Sequence, residues 1–208
     1  MTHALASSWM DPNWLFDKYG SAFFVVACII VFVECGLFFP ILPGDTLLFA
    51  IGLFIAGGKL HLSLPVILVV LAAVAFAGNV VGYEIGRFAG PRLFEKDGRI
   101  VKRKYVDQTH AFFDKYGNKA LVLGRFVPIV RTFITLVAGV GQMDRKRFFT
   151  WSAVGAVLWV VVITLAGYFL GQTFPTLGKN IDYAVIVITV LSVLPMAYEW
   201  RKHRKAAR

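Results

Sequence analysis

Apolar residues fill this chain in long blocks, and two of the blocks are broken by charge and proline where a simple membrane span carries neither. Stretches at about 63–90, 147–171 and 181–200 are long enough to cross a bilayer, which needs roughly twenty residues. The stretch 21–39 is long enough as well. By contrast, 46–58 and each half of 119–142 run for only about a dozen residues. Pieces of that length suit re-entrant segments that enter and leave on one face. The pattern predicts an all-α membrane protein with two re-entrant helical hairpins, at 21–58 and 119–142, and about three full transmembrane helices.

The two halves echo each other. Phe16-Asp17-Lys18-Tyr19-Gly20 recurs as Phe113-Asp114-Lys115-Tyr116-Gly117, an offset of 97. At that offset Glu34 falls on Arg131 and Gly44 on Gly141, while Gly82-Tyr83-x-x-Gly86 echoes Gly167-Tyr168-x-x-Gly171. With one hairpin opening outward and the other inward, the halves form an inverted repeat, an architecture of many carriers. The expected organisation is an N-terminal interfacial segment (1–20), a first repeat of hairpin plus transmembrane helix (21–90) and a basic cytoplasmic loop (91–118). A second repeat (119–172) and a C-terminal transmembrane helix with a basic tail (180–208) complete it. Within the loop, Tyr105, Val106, Thr109, Phe112, Phe113 and Tyr116 form one helical stripe, which suits either an interfacial helix or a helix packed on the bundle. Gly78, Gly82, Gly86 and Gly90 recur every four residues and give a groove for close helix packing.

Charge then sets the orientation. The formal net charge is +10, but the basic residues are not spread as a nucleic-acid surface requires. Eight lie between Arg92 and Lys119, three are Arg145-Lys146-Arg147, and five follow Trp200. All three clusters flank apolar segments, the positive-inside pattern, which also favours anionic lipid at those loops. The C-terminus and loop 91–118 are therefore expected in the cytoplasm, with 172–180 outside. The first fifteen residues lack the basic start and small-residue cleavage site of a signal peptide. Cys28 and Cys35 lie in apolar sequence, and the four histidines have no ligand spacing. No metal, no cofactor and no nucleic acid is expected. No nucleophile–base constellation points to an enzyme.

The chemistry lies in the two broken blocks. Glu34 precedes the turn Pro40-Ile41-Leu42-Pro43-Gly44-Asp45, and Arg125 and Arg131 bracket Pro128. Ionisable groups at membrane depth usually face a bundle interior or a wet cavity, and broken helices are where carriers put their sites. Glu34 and Asp45 are candidates for proton coupling, while Asp45 is also placed to cap a helix starting at Thr46. Arg125 and Arg131 are candidates for an anionic headgroup, because guanidinium stays charged and grips phosphate or carboxylate bidentately. An internal ion pair between the acids and the arginines is the alternative. Pro40, Pro43, Gly44, Pro128 and Gly139 are candidate turn or hinge positions.

Glu34, Pro43-Gly44-Asp45, Gly82-Tyr83-x-x-Gly86-Arg87, Gly124-Arg125-Phe126-x-Pro128-x-x-Arg131-Thr132 and Ala138-Gly139 together resemble the DedA family, also called the VTT or SNARE-associated domain family. The likeness covers roughly residues 14–172. It implies lipid translocation between leaflets, with functional positions matching Glu34, Asp45, Arg125 and Arg131. Bacterial members are associated with recycling undecaprenyl phosphate, with proton-motive force and with cationic-peptide resistance; eukaryotic relatives are phospholipid scramblases. The expected function is a flippase of the bacterial inner membrane, moving a polyprenyl phosphate from the outer to the cytoplasmic leaflet with protons. A phospholipid scramblase, or a proton-coupled carrier of a small soluble solute or ion, is the alternative. The topology is open to direct test. Gly98→Cys and Gly178→Cys, each introduced as the single cysteine, should react with an impermeant thiol reagent from opposite sides; labelling from one side refutes the orientation.

Overall fold

A computed structural model describes residues 22–37, 44–89, 111 and 113–173. It contains helices α1 (Phe23–Leu37), α2 (Gly44–Ala56), α3 (Leu64–Ala89), the one-turn α4 (Ala120–Leu123), α5 (Pro128–Val140) and α6 (Arg145–Thr173). Short 3-10 turns, Gly117–Lys119 and Gly124–Phe126, flank α4. No strand occurs among the described residues. Among the described residues two helices are long and apolar enough to cross a membrane, Leu64–Phe88 and Arg145–Thr173, as two of the three predicted spans require. The third, 181–200, lies outside the described residues, as do Pro40, Pro43, Gly90, most of the 105–116 stripe and the N-terminal segment. At 1.5 Å per residue, α2 and α5 are only about 20 Å long, short of a hydrocarbon core of about 30 Å. Apolar side chains such as Val25, Ile29, Val66, Val69, Val154 and Val157 stand exposed along α1, α3 and α6, a surface suited to lipid.

The breaks follow from local chemistry. Val127 is extended (φ −109°, ψ 110°), as a residue before proline prefers, and Pro128 opens α5 where its missing N–H is not needed. At the other end of α5, Gln142 adopts φ 54°. The Met143 amide donates to the Ala138 carbonyl and the Gln142 amide to Gly139, a Schellman cap. Helix α2 closes the same way, with Gly58 at φ 69° and amides of Lys59 and Gly58 donating to Phe54 and Ile55. Asp144 then starts α6 by accepting from the Arg147 amide at 3.1 Å.

The chain divides into two compact units, each drawing on both halves of the sequence. The first comprises Phe24–Gly44 and Leu62–Val162; the second holds Phe23, Asp45–His61 and α6 from Ile163 onward. In the first, α5 packs along α3 around Tyr83, Ile134, Ala138 and Phe148. In the second, Phe49 and Leu53 of α2 pack with Ile163 and Leu170 of α6.

Both packings turn on a pair of glycines. A methyl at Gly86 would strike the Leu136 carbonyl, and one at Gly139 the Tyr83 carbonyl. In the other unit a methyl at Gly167 would strike the Phe49 carbonyl, and one at Gly52 the Thr164 carbonyl. Each glycine thus faces the carbonyl three residues before its partner glycine, the same crossing twice. In each unit the short helix of one half lies on the long helix of the other. The glycines that hold equivalent places in the two crossings, Gly52 and Gly139, Gly86 and Gly167, are 87 and 81 residues apart, whereas the sequence echoes lie at offsets of 97 and 85.

Gly86→Ala and Gly167→Ala should each cost about 1–3 kcal/mol through overpacking against backbone that cannot yield. The loss should read as a lower melting temperature of the purified protein in detergent. Gly57→Ala, at the end of α2 and 3.3 Å from the Leu53 carbonyl, should be milder; equal effects would refute the crossing.

Candidate functional site

Glu34 sits in the last turn of α1, with a side chain 7% exposed. One carboxylate oxygen, Oε2, accepts the Gly44 amide at 2.7 Å; the other, Oε1, accepts Arg131 Nη2 at 2.5 Å. Gly44 is glycine for a reason the sequence hides: a Cβ there would collide with the Glu34 carboxylate. With its first amide satisfied from a distance, α2 begins at Gly44 and not at Thr46 as expected. Its cap acceptor is Glu34. Asp45 lies in the first turn of α2, where a carboxylate suits the positive end of the helix dipole, and belongs to the other compact unit.

Arg125 is placed by the irregular turn before Pro128, and only 5% of it is exposed. Gly155 of α6 makes room for it, since a methyl there would lie 2.8 Å from Arg125 Nε. Arg125 Nη2 donates to Ser152 Oγ at 3.4 Å, and the Cys35 thiol lies beside the guanidinium. Nε has no hydrogen-bond partner among the described residues. Among the described residues no carboxylate pairs with Arg125. Arg131 is 5.6 Å from the ring of buried Trp159, a cation–π distance.

Helices α1 and α3 approach closely where a Cβ on Gly36 would lie 3.1 Å from the Gly78 carbonyl. That approach brings Asn79 to the same place. Glu34, Cys35, Asn79, Arg125, Arg131 and Trp159 line one cavity of about 20 Å³, room for about one water molecule. Its formal charge is +1, two arginines against one glutamate.

The structure thus brings together three of the four charged candidates, Glu34, Arg125 and Arg131. Pro128 is the first residue of α5, and Gly139 lies inside that helix at the crossing with α3. Asn79, Cys35, Ser152 and Trp159 were not singled out. An amide inside the apolar run of α3 was the one visible signal; the others needed the fold. Gly82-Tyr83-x-x-Gly86-Arg87 serves a different task. Tyr83 stacks on Phe148 with centroids 4.1 Å apart. Its hydroxyl donates to the Met143 carbonyl, and Arg87 Nη1 donates to the Tyr83 hydroxyl at 2.6 Å and to Met143 O at 3.1 Å. The motif latches the α5–α6 turn to the end of α3.

These features define a VTT-domain membrane protein, and the VTT domain profile matches residues 42–169, more than half of the chain. The chain belongs to the DedA family. It is 40% identical over 195 residues to Protein DedA of Escherichia coli (strain K12), covering 93% of this chain and 89% of that protein. It is 44% identical over 188 residues to an uncharacterized membrane protein of Mycobacterium tuberculosis (strain CDC 1551 / Oshkosh), covering 90% and 81%. Inner membrane protein YqjA of E. coli (strain K12) is 33% identical over 181 residues, covering 86% and 80%. No solved structure matches the chain.

Breaking a buried pair by removing one partner costs about 3–5 kcal/mol, because the other charge is left uncompensated. Glu34→Gln and Arg131→Gln should each lower the melting temperature in detergent, and the double variant should lose less than the sum. Strict additivity would show that the two groups do not interact.

Proposed function

We propose that this protein is a proton-coupled flippase of the bacterial inner membrane, returning a lipid with a phosphate headgroup, of the polyprenyl phosphate type, to the cytoplasmic leaflet. The observation that carries the reading is the buried positive surplus: Arg125, without a carboxylate partner among the described residues, beside an arginine already held by Glu34. A buried uncompensated charge is expensive, and an anion is what relieves it. Family membership, and the inner-membrane description of YqjA, support the setting.

Glu34 acts in this reading as an internal stand-in for the headgroup. Its carboxylate occupies the face of Arg131 that a phosphate would take. Protonating Glu34 removes the attraction for Arg131 and raises the cavity charge from +1 to +2, which suits a phosphate monoester. Proton and anion then load together and move in the same direction. An inward proton gradient therefore drives inward movement of the headgroup. A cavity near the size of one water admits a phosphate only after the Glu34–Arg131 contact opens, which favours a gated carrier over a permanently open scrambling groove. Asp45, at the start of α2, would be a second carboxylate of the gate. The short α2 and α5, with their matched glycine crossings, support two re-entrant hairpins in an inverted repeat, and the isoprenoid tail would stay in lipid.

The test is movement of a labelled polyprenyl phosphate in proteoliposomes with and without an imposed pH gradient. Wild type should respond to the gradient. Arg125→Lys and Arg131→Lys, which keep charge and lose the planar fork, should slow movement by about tenfold or more. Glu34→Gln should bind lipid and ignore the gradient. A wild-type rate indifferent to the gradient, unchanged in Glu34→Gln, would make the protein a passive scramblase. Full activity in both lysine variants would remove the headgroup role.

A further inference from the structure

We propose that Asn79 is an anion-binding residue, its side-chain amide donating to the same phosphoryl oxygen that Arg125 Nε holds. The inference rests on the cavity being a phosphate site and adds a ligand-binding group to it. Asn79 is 2% exposed in the run Leu64–Gly82 of α3, where every other residue is apolar, glycine or proline, and among the described residues its Nδ2 has no hydrogen-bond partner. A buried amide is destabilising unless bonded, and a leucine at this place on α3 would avoid the penalty. Arg125 Nε is buried and unpartnered in the same way.

Asn79 and Arg125 both line the cavity that holds the Glu34–Arg131 pair. Ser152 Oγ takes Arg125 Nη2, the Cys35 thiol lies beside the same guanidinium, and Glu34 takes Arg131 Nη2; among the described cavity residues the buried nitrogens without a partner are Arg125 Nε and Asn79 Nδ2. What is left is a guanidinium N–H and an amide N–H. The guanidinium is donor-only, and the amide's free group is a donor. Cavity size fits one oxygen atom rather than a whole phosphate. One non-bridging phosphoryl oxygen enters between Arg125 and Asn79, and the rest of the headgroup rests on Arg131 once Glu34 has released it. The ligand chemistry is a phosphate oxyanion, carried by a lipid or free in solution.

The experiment is titration calorimetry of the full-length protein in detergent micelles, with dodecyl phosphate and inorganic phosphate as probes, beside melting temperatures without probe. Asn79→Ala should weaken dodecyl phosphate binding about tenfold, the loss of a hydrogen bond to a charged acceptor. Asn79→Asp should weaken it by about a hundredfold or more, since a carboxylate would face the phosphate, yet melt higher than wild type by pairing with Arg125. Opposite movements of binding and stability are what a merely structural amide would not give. Should Asn79→Ala fail to fold, Asn79→Ser keeps a donor and should lose about a few fold. Wild-type affinity in the Asn79 variants, with binding abolished in Arg125→Ala, would overturn the role of Asn79 and leave the phosphate site standing. No binding of either probe by wild type would overturn both. Inorganic phosphate binding as tightly as dodecyl phosphate, with the same Asn79 losses, would support Asn79 and make the free ion the ligand.

Discussion

One carboxylate organises the charged cavity of this protein. Glu34 accepts the Gly44 amide with one oxygen and the Arg131 guanidinium with the other, so a single ionisable group holds the start of one broken helix and an arginine of another. Few side chains can do this. A glutamine keeps the amide contact and loses the charge, and an aspartate is one methylene short. Because Glu34 is buried and Arg131 only 21% exposed, the strength of the pair depends on both partners staying charged, which is why the proposed function places proton control there.

The surrounding structure is arranged to permit that contact. Gly44 leaves space for the carboxylate, Gly155 for Arg125, and the Gly36–Gly78 approach brings Asn79 to the cavity wall. Elsewhere, the paired crossings at Gly86–Gly139 and Gly52–Gly167 set short helices against long ones at backbone distance. In lipid, where no hydrophobic force drives helices together, small residues and interhelical hydrogen bonds supply the association. The Tyr83–Arg87–Met143 latch adds such bonds at the end of α3.

Much of this was legible in the sequence, for physical reasons. The two long spans follow from length and apolar content, and the break before α5 from Pro128 and its effect on Val127. Charges in apolar sequence identified Glu34, Arg125 and Arg131, since such groups are too costly to leave without a purpose. An ion pair between the acids and the arginines was the alternative reading, and what sequence could not supply was which acid meets which arginine. An offset of 97 marked Glu34 and Arg131 as counterparts, whereas they are bonded to each other. Asp45 looked like the cap of its helix because the remote Glu34–Gly44 bond cannot be read locally. Trp159 and Ser152 were silent because buried tryptophan and serine are ordinary in a long helix.

The central claim is that a phosphate headgroup and Glu34 compete for Arg131, with a proton settling the competition. Calorimetric titration of dodecyl phosphate in buffers of different ionisation enthalpy, at one pH, measures it most directly, because the slope of heat against buffer enthalpy counts protons exchanged on binding. At a pH where Glu34 is ionised in the free protein, the account predicts uptake of about one proton per anion in wild type and none in Glu34→Gln. Binding with no proton uptake in wild type, or with the same uptake in Glu34→Gln, would contradict it.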